Sequence, residues 1–112
     1  MIKRAMKNLL EKYNNNGYFI QKNFFENKFI ESLLKDIELA KSKKDTDIYL
    51  DRNGLLRRIE RLYDKSENLK MLNLKISSFL EEIFKTSFLI FKDKFNAKPP
   101  GGEGYQAHYD GV

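Results

Sequence analysis

The stretch "DIYLDRNGLLRRIE", residues 47–60, consists of two short runs of apolar and charged residues around Asp51-Arg52-Asn53-Gly54. Asn-Gly between such runs is a strong hairpin signal, because both residues tolerate a positive φ that most side chains resist. The stretch therefore reads as two antiparallel strands, Asp47–Leu50 and Leu55–Glu60. Sheet building in this chain starts from that pair.

Helical patterns lie on both sides of the hairpin. Ile2, Met6, Leu9, Leu10 and Tyr13 recur at helical spacing and predict an amphipathic helix over residues 2–13, stopped by Asn14-Asn15-Asn16-Gly17. Phe29, Ile30, Leu33, Leu34, Ile37 and Ala40 form the stripe of a second helix, from Glu26 to about Lys43. Leu69, Leu72, Ile76, Phe79, Leu80, Ile83 and Phe84 form the buried side of a third, from Ser66 to Phe84. Two further strands are expected, at Tyr18–Lys22 and at Phe88–Lys98, the latter ended by Pro99-Pro100-Gly101-Gly102. Partial segregation of helices from strands points to an α+β fold rather than a doubly wound sheet. Three helices on so few strands make a sheet that looks unfinished.

At 112 residues, the length suits one domain. With 41% hydrophobic and 33% charged residues, the chain has the balance of a folded protein and not of a disordered one. Absence of cysteine removes disulfides, zinc-thiolate sites and a cysteine nucleophile, and fits a reducing compartment. The net charge of +5 is spread among acids, the densest run being Lys41-Ser42-Lys43-Lys44-Asp45. Such mixing reads as solvated surface and gives no nucleic-acid footprint. With neither a signal peptide nor a run long enough to span a membrane, the expected location is the cytoplasm.

The chemistry-bearing residues concentrate in "KPPGGEGYQAHYDGV", residues 98–112, which hold the only histidine. If Gln106–Asp110 is extended, His108 and Asp110 point to one side and Tyr109 to the other. An imidazole and a carboxylate on one face are two of the three ligand types in the facial triad of non-haem Fe(II) oxygenases. Alone, the pair carries little information: at ordinary composition about one histidine in twenty is followed by Asp two places on. Upstream, Lys92, Lys94, Asn96 and Lys98 share one face of the expected strand, with Leu89, Phe91, Phe95 and Ala97 on the other. The aromatic residues Tyr18, Phe19, Phe24, Phe25 and Phe29 read as core.

Two segments together carry a resemblance. Asn16-Gly17-Tyr18-Phe19-Ile20-Gln21-Lys22-Asn23-Phe24-Phe25 resembles the first strand and turn of the phytanoyl-CoA dioxygenase family. Phe91 to Gly102, leading into Ala107-His108-Tyr109-Asp110-Gly111, resembles that family's strand, Pro-Pro-Gly loop and iron-binding His-x-Asp. The resemblance covers residues 16–112, and its most specific part is Lys98-Pro99-Pro100-Gly101 with His108 ten residues after the lysine.

The resemblance implies an Fe(II)- and 2-oxoglutarate-dependent dioxygenase acting with O2 on a small-molecule substrate. The fold implied is a double-stranded β-helix, or jelly roll, with flanking helices. His108 and Asp110 would be metal ligands. Lys94, and at the hairpin's second strand Arg58, would contact the co-substrate, although Arg57, Arg58 and Arg61 read equally as surface charge. Tyr109 stands where glutamine is frequent, and the carboxylate of Asp110 favours hydroxylation over halogenation. The third ligand, a distal histidine, and the arginine that grips 2-oxoglutarate have no counterpart here. Residues 1–112 are thus expected to be one incomplete domain, with 1–15 a helical extension, inactive in isolation. Two other readings stand beside this one. One is a small basic helical module that binds partners without catalysis; the other is a complete protein whose terminal pair binds metal between two chains.

Overall fold

The computed structural model describes residues 2–43 and 45–109. Three helices and three strands follow in the order α1 (Ile2–Asn16), α2 (Asn27–Ala40), β1 (Asp47–Leu50), β2 (Leu56–Glu60), α3 (Glu67–Phe84) and β3 (Lys94–Asn96). The fold is α+β, with a small antiparallel sheet of order β1-β2-β3 that does not close on itself.

The hairpin forms as its residues dictate, with one difference in the turn. Gly54 alone of the Asn-Gly pair takes positive φ, at 78°. Gly54 N–H donates to Asp51 O at 3.0 Å and Asp51 N–H to Leu55 O at 2.9 Å, which makes a three-residue loop closed by a left-handed glycine. Asp51 organises it: one carboxylate oxygen accepts from the N–H groups of Asn53 and Leu55, at 2.8 and 3.0 Å. An aspartate accepting backbone N–H bonds two residues on is the Asx turn, and it supplies rigidity the glycine cannot.

Register then decides which side of the sheet is apolar. Ile48 pairs with Ile59, and Ile59 with Phe95. Alternation places all three on the face covered by helices. Ile59 is fully buried there, in a core with Leu33 and Ala40 of α2, Leu62, and Leu69 of α3. Asp36 of α2 joins the two helices at their polar ends. Its carboxylate accepts from Ser66 Oγ at 2.6 Å and Asn68 Nδ2 at 3.1 Å, while Ser66 Oγ caps α3 by accepting from Leu69 N–H at 3.1 Å.

Helix α1 lies on the far part of α3. Leu9 and Ile83 are buried, and Tyr13 meets Phe84 edge-on at 5.0 Å between ring centroids. Two expected strands differ. Tyr18–Lys22 is not a strand: it belongs to an irregular link from α1 to α2, with Asn23 at φ 55°. Its aromatic residues are drawn instead onto the helices, Phe24 packing at a tilt on Phe79 at 4.7 Å between ring centroids and Phe25 on Phe29 at 5.5 Å. Burial of rings outweighs the strand preference of the local sequence. Tyr18 is the exception to the expected core, being 62% exposed.

The strand expected at Phe88–Lys98 contracts to Lys94–Asn96. β2 is only five residues long and offers partners to three residues of β3. Leu89 and Phe91, expected on an apolar strand face, are exposed. After β3, Pro99–Gly102 closes a tight turn, with Gly102 N–H donating to Pro99 O at 2.9 Å and Gly101 at φ 81°. Proline second and a left-handed glycine third is the signature of a type II turn.

Candidate functional site

The sheet's other face is polar and open, and a cleft of about 910 Å³ lies against it. Its floor is made by β2 and β3. Arg58 pairs with Asn96, and Glu60 with Lys94. The Lys94 and Asn96 side chains share the face opposite Phe95, as period-two alternation requires. Lys98, just beyond the strand, also lines the cleft.

A register irregularity adds a second arginine. Tyr49 pairs with Arg58 but Leu50 with Leu56, so Arg57 is skipped. This is a β-bulge, which re-aims the side chains around it. Leu56 keeps its place against the core, and Arg57 joins Arg58 in lining the cleft. Without the bulge, strict alternation would send Arg57 to the helix-covered side, with Ile59 and the core.

The segment after the Pro-Pro-Gly turn runs across this face as a strap with no regular secondary structure through Tyr109. Two residues fasten it. Glu103 bridges two arginines: one carboxylate oxygen accepts from Arg52 Nε, and the other lies 3.6 Å from Arg57 Nη1. Tyr105 Oη donates to Arg57 O at 2.8 Å, with the Arg57 guanidinium 4.6 Å from its ring centroid and Lys98 Nζ at 5.3 Å. His108, five residues beyond Glu103, thereby lines the cleft too.

Electrostatically the cleft is cationic. Among the described residues, Arg52, Arg57, Arg58, Lys94 and Lys98 line it with a single carboxylate, Glu103. Even with Glu60 beside Arg58 counted, cations outnumber carboxylates around the cleft among the described residues. Arg58 sits over Tyr49 at 4.3 Å. Its Nε lies 2.8 Å from a carboxylate oxygen of Glu60, yet the enclosed N–H does not point at that oxygen and has no acceptor among the described residues. Distance alone would count this as a hydrogen bond; orientation decides that it is only an ion pair. Among the described residues Lys94 has no carboxylate within 4.0 Å.

Asp51 sits at the rim. Partial desolvation pushes its carboxyl up, but the N–H groups of Leu55, Asn53 and Glu103 and the charge of Arg57 outweigh that and hold it below the usual carboxylate value. The ring of His108 is fixed by a contact of 2.7 Å between Nδ1 and Gln106 O. A carbonyl can only accept, so in the neutral ring the proton is on Nδ1 and the lone pair on Nε2.

Of the four residues singled out in the sequence, the fold gathers three: Arg58 from β2, Lys94 from β3 and His108 from the strap all line the one cleft. Asp110, the fourth, lies outside the described residues. No group of three or more His, Cys, Asp or Glu that could hold a metal occurs among the described residues. Sequence reasoning passed over Arg52, Glu103 and Tyr105, and read Arg57 only as surface charge. The bulge that turns Arg57 has no local signature, and Glu103 matters only because the Pro-Pro-Gly turn folds it back on the hairpin tip. The charge scatter along the chain also hid a cluster, since the five cations come from two separated segments. No described helix is long and apolar enough to cross a membrane. Set against family models, curated proteins and solved structures, the chain matches none.

Proposed function

We propose that this chain is part of an Fe(II)- and 2-oxoglutarate-dependent dioxygenase of the phytanoyl-CoA dioxygenase type, a hydroxylase with a jelly-roll barrel to which the three-stranded sheet would contribute. The observation that carries the reading is the convergence of Arg58, Lys94 and His108 on one cationic cleft. They come from positions up to 50 residues apart, and they share the sheet face turned away from the helices.

The residues present fit the groups this activity needs. Nδ1–H donation from His108 to Gln106 O is the kind of outer contact that orients an imidazole which ligates through Nε2. Asp110 would add the carboxylate, and the second imidazole must come from residues beyond these 112, whose only histidine is His108. Fe(II) bound there would supply the oxygen chemistry that turns 2-oxoglutarate into succinate and hydroxylates the substrate. Lys94 and Arg58 would orient the dianionic co-substrate, and their charge would offset its desolvation in the cleft. Tyr105 and Tyr49 would shield one side of the site from water.

Manganese(II), a paramagnetic substitute for iron, tests the reading on this chain. It should broaden the His108 ring resonances first, with the backbone resonances of Gln106 and Ala107 beside it, and His108→Ala should remove the broadening at those two neighbours. Broadening centred on other residues, or undiminished in His108→Ala, would overturn it. Two protein ligands hold the metal weakly, so turnover of 2-oxoglutarate by these 112 residues alone is not expected.

A further inference from the structure

Among the described residues Glu103 is the one carboxylate that lines a cleft of five cations, and it spans two of them. Two guanidinium groups carry roughly ten N–H donors, of which a single carboxylate can use few. Arg52 is 88% exposed at the hairpin tip, while Arg57 and Glu103 are 29% and 24% exposed. The fork is therefore open to solvent on the Arg52 side and walled by Tyr105 on the Arg57 side. It lies at the end of the cleft made by the hairpin tip and the strap, whereas Lys94 and Arg58 belong to the strand pairing between Glu60 and Lys94 and between Arg58 and Asn96.

We infer that Arg52 and Arg57 form an oxyanion subsite, for a carboxylate or phosphate group of a small multivalent acid, and that Glu103 is the internal carboxylate that keeps it closed. Guanidinium groups match both oxyanions in geometry. An arriving anion exchanges with Glu103 instead of adding to it, so the arginines never lose their partner. The surplus charge of Lys94 and Lys98 favours an anion with more than the single charge of a glutamate. Displacement also has a mechanical consequence. Released from Arg52 and Arg57, the strap keeps Tyr105 Oη on Arg57 O and a long 3.4 Å contact from Glu103 N–H to Asp51. Occupancy of the subsite would thus loosen the segment that positions His108.

The test needs neither metal nor 2-oxoglutarate, so it stands or falls apart from the oxygenase reading. Citrate and pyrophosphate are titrated into the 112-residue chain, and binding is read from the side-chain Nε–H resonances of Arg52 and Arg57. An internal competitor lowers apparent affinity by the fraction of time it holds the site, so a latch closed nine-tenths of the time masks about tenfold. Glu103→Gln should therefore tighten binding by about tenfold. Glu60→Gln removes the same charge from beside Arg58 without touching the latch, and should gain no more than about threefold. Arg52→Gln, at an exposed position that folding does not need, should cancel the gain. The tighter of the two probes identifies the group as carboxylate or phosphate. Equal gains in Glu103→Gln and Glu60→Gln, or anion-induced shifts at Lys94 with none at Arg52 and Arg57, would overturn the subsite.

Discussion

The two faces of the sheet are built from alternate residues of the same short strands, yet they obey different physics. Toward the helices stand Ile48, Ile59 and Phe95, held by exclusion of water and indifferent to orientation. Away from them stand Arg58, Lys94 and Asn96, where orientation is everything and solvent remains. One residue of register slip would exchange the two sets. The contrast teaches that the apolar face fixes the register, and the register fixes which cations meet. Stability and chemistry should therefore be separable by mutation, one face at a time.

The hardest blow to the molecule should come from the helix side. Ile59 is fully buried in β2, the middle strand, where it meets both neighbouring strands. Ile59→Ala removes buried methyl and methylene groups and leaves a cavity, at a cost of about 2–5 kcal/mol. Thermal or urea unfolding should show this directly, and the cleft should be lost with it. A cost below about 1 kcal/mol would mean that the sheet is not held by its apolar face.

On the open face the expected outcome reverses. Lys94 is exposed and has no carboxylate within 4.0 Å among the described residues. Lys94→Ala should change stability by no more than about 0.5 kcal/mol, as surface substitutions usually do. If Lys94 holds the co-substrate, the same change should weaken 2-oxoglutarate binding by about tenfold, the worth of one charge-assisted hydrogen bond. Measured by calorimetry on the manganese-loaded chain, an unchanged affinity would return Lys94 to the status of a solvated surface residue.

How much of this was legible in the sequence follows the same division. All three helices were readable from apolar periodicity, because an amphipathic stripe is a local record of burial. The hairpin was readable from Asn53-Gly54 and its flanks. Tyr18–Lys22 misled, since strand-favouring residues record only local preference, and Phe24 and Phe79 meet across more than 50 positions. Phe88–Lys98 misled for a related reason. A strand extends only as far as its neighbour does, and the length of β2 is not written in the sequence of β3. The cleft was partly legible: period-two spacing put Lys94, Asn96 and Lys98 together. What joined Arg57 and Glu103 to them was a bulge and a turn acting at a distance, and neither leaves a pattern that can be read locally.

The smallest effect expected lies at the seam between the faces, where Arg61 follows β2 with φ 58° and forks onto Asp47 of β1. Hydrogen bonding from Arg61 is the main influence on Asp47, and with the charges of Arg61 and Lys65 it outweighs desolvation, holding the carboxyl below its usual 3.8. A carboxylate depressed in the folded state favours folding wherever it is ionised in both states, which is above 3.8. That contribution drains away as pH falls through 3.8 toward the lower folded value, because the unfolded chain takes up the proton first. Asp47→Asn should therefore flatten the acid limb of the stability curve below about pH 4 and leave the curve near pH 7 close to that of the parent, because a solvated ion pair contributes little. Salt should erode the parent's advantage in the same window, since the pair is exposed. If instead Asp47→Asn costs stability equally at pH 3 and pH 7, the side chain acts by its shape in the Arg61 fork rather than by its charge. The left-handed backbone at Arg61 would then be what the pair exists to hold.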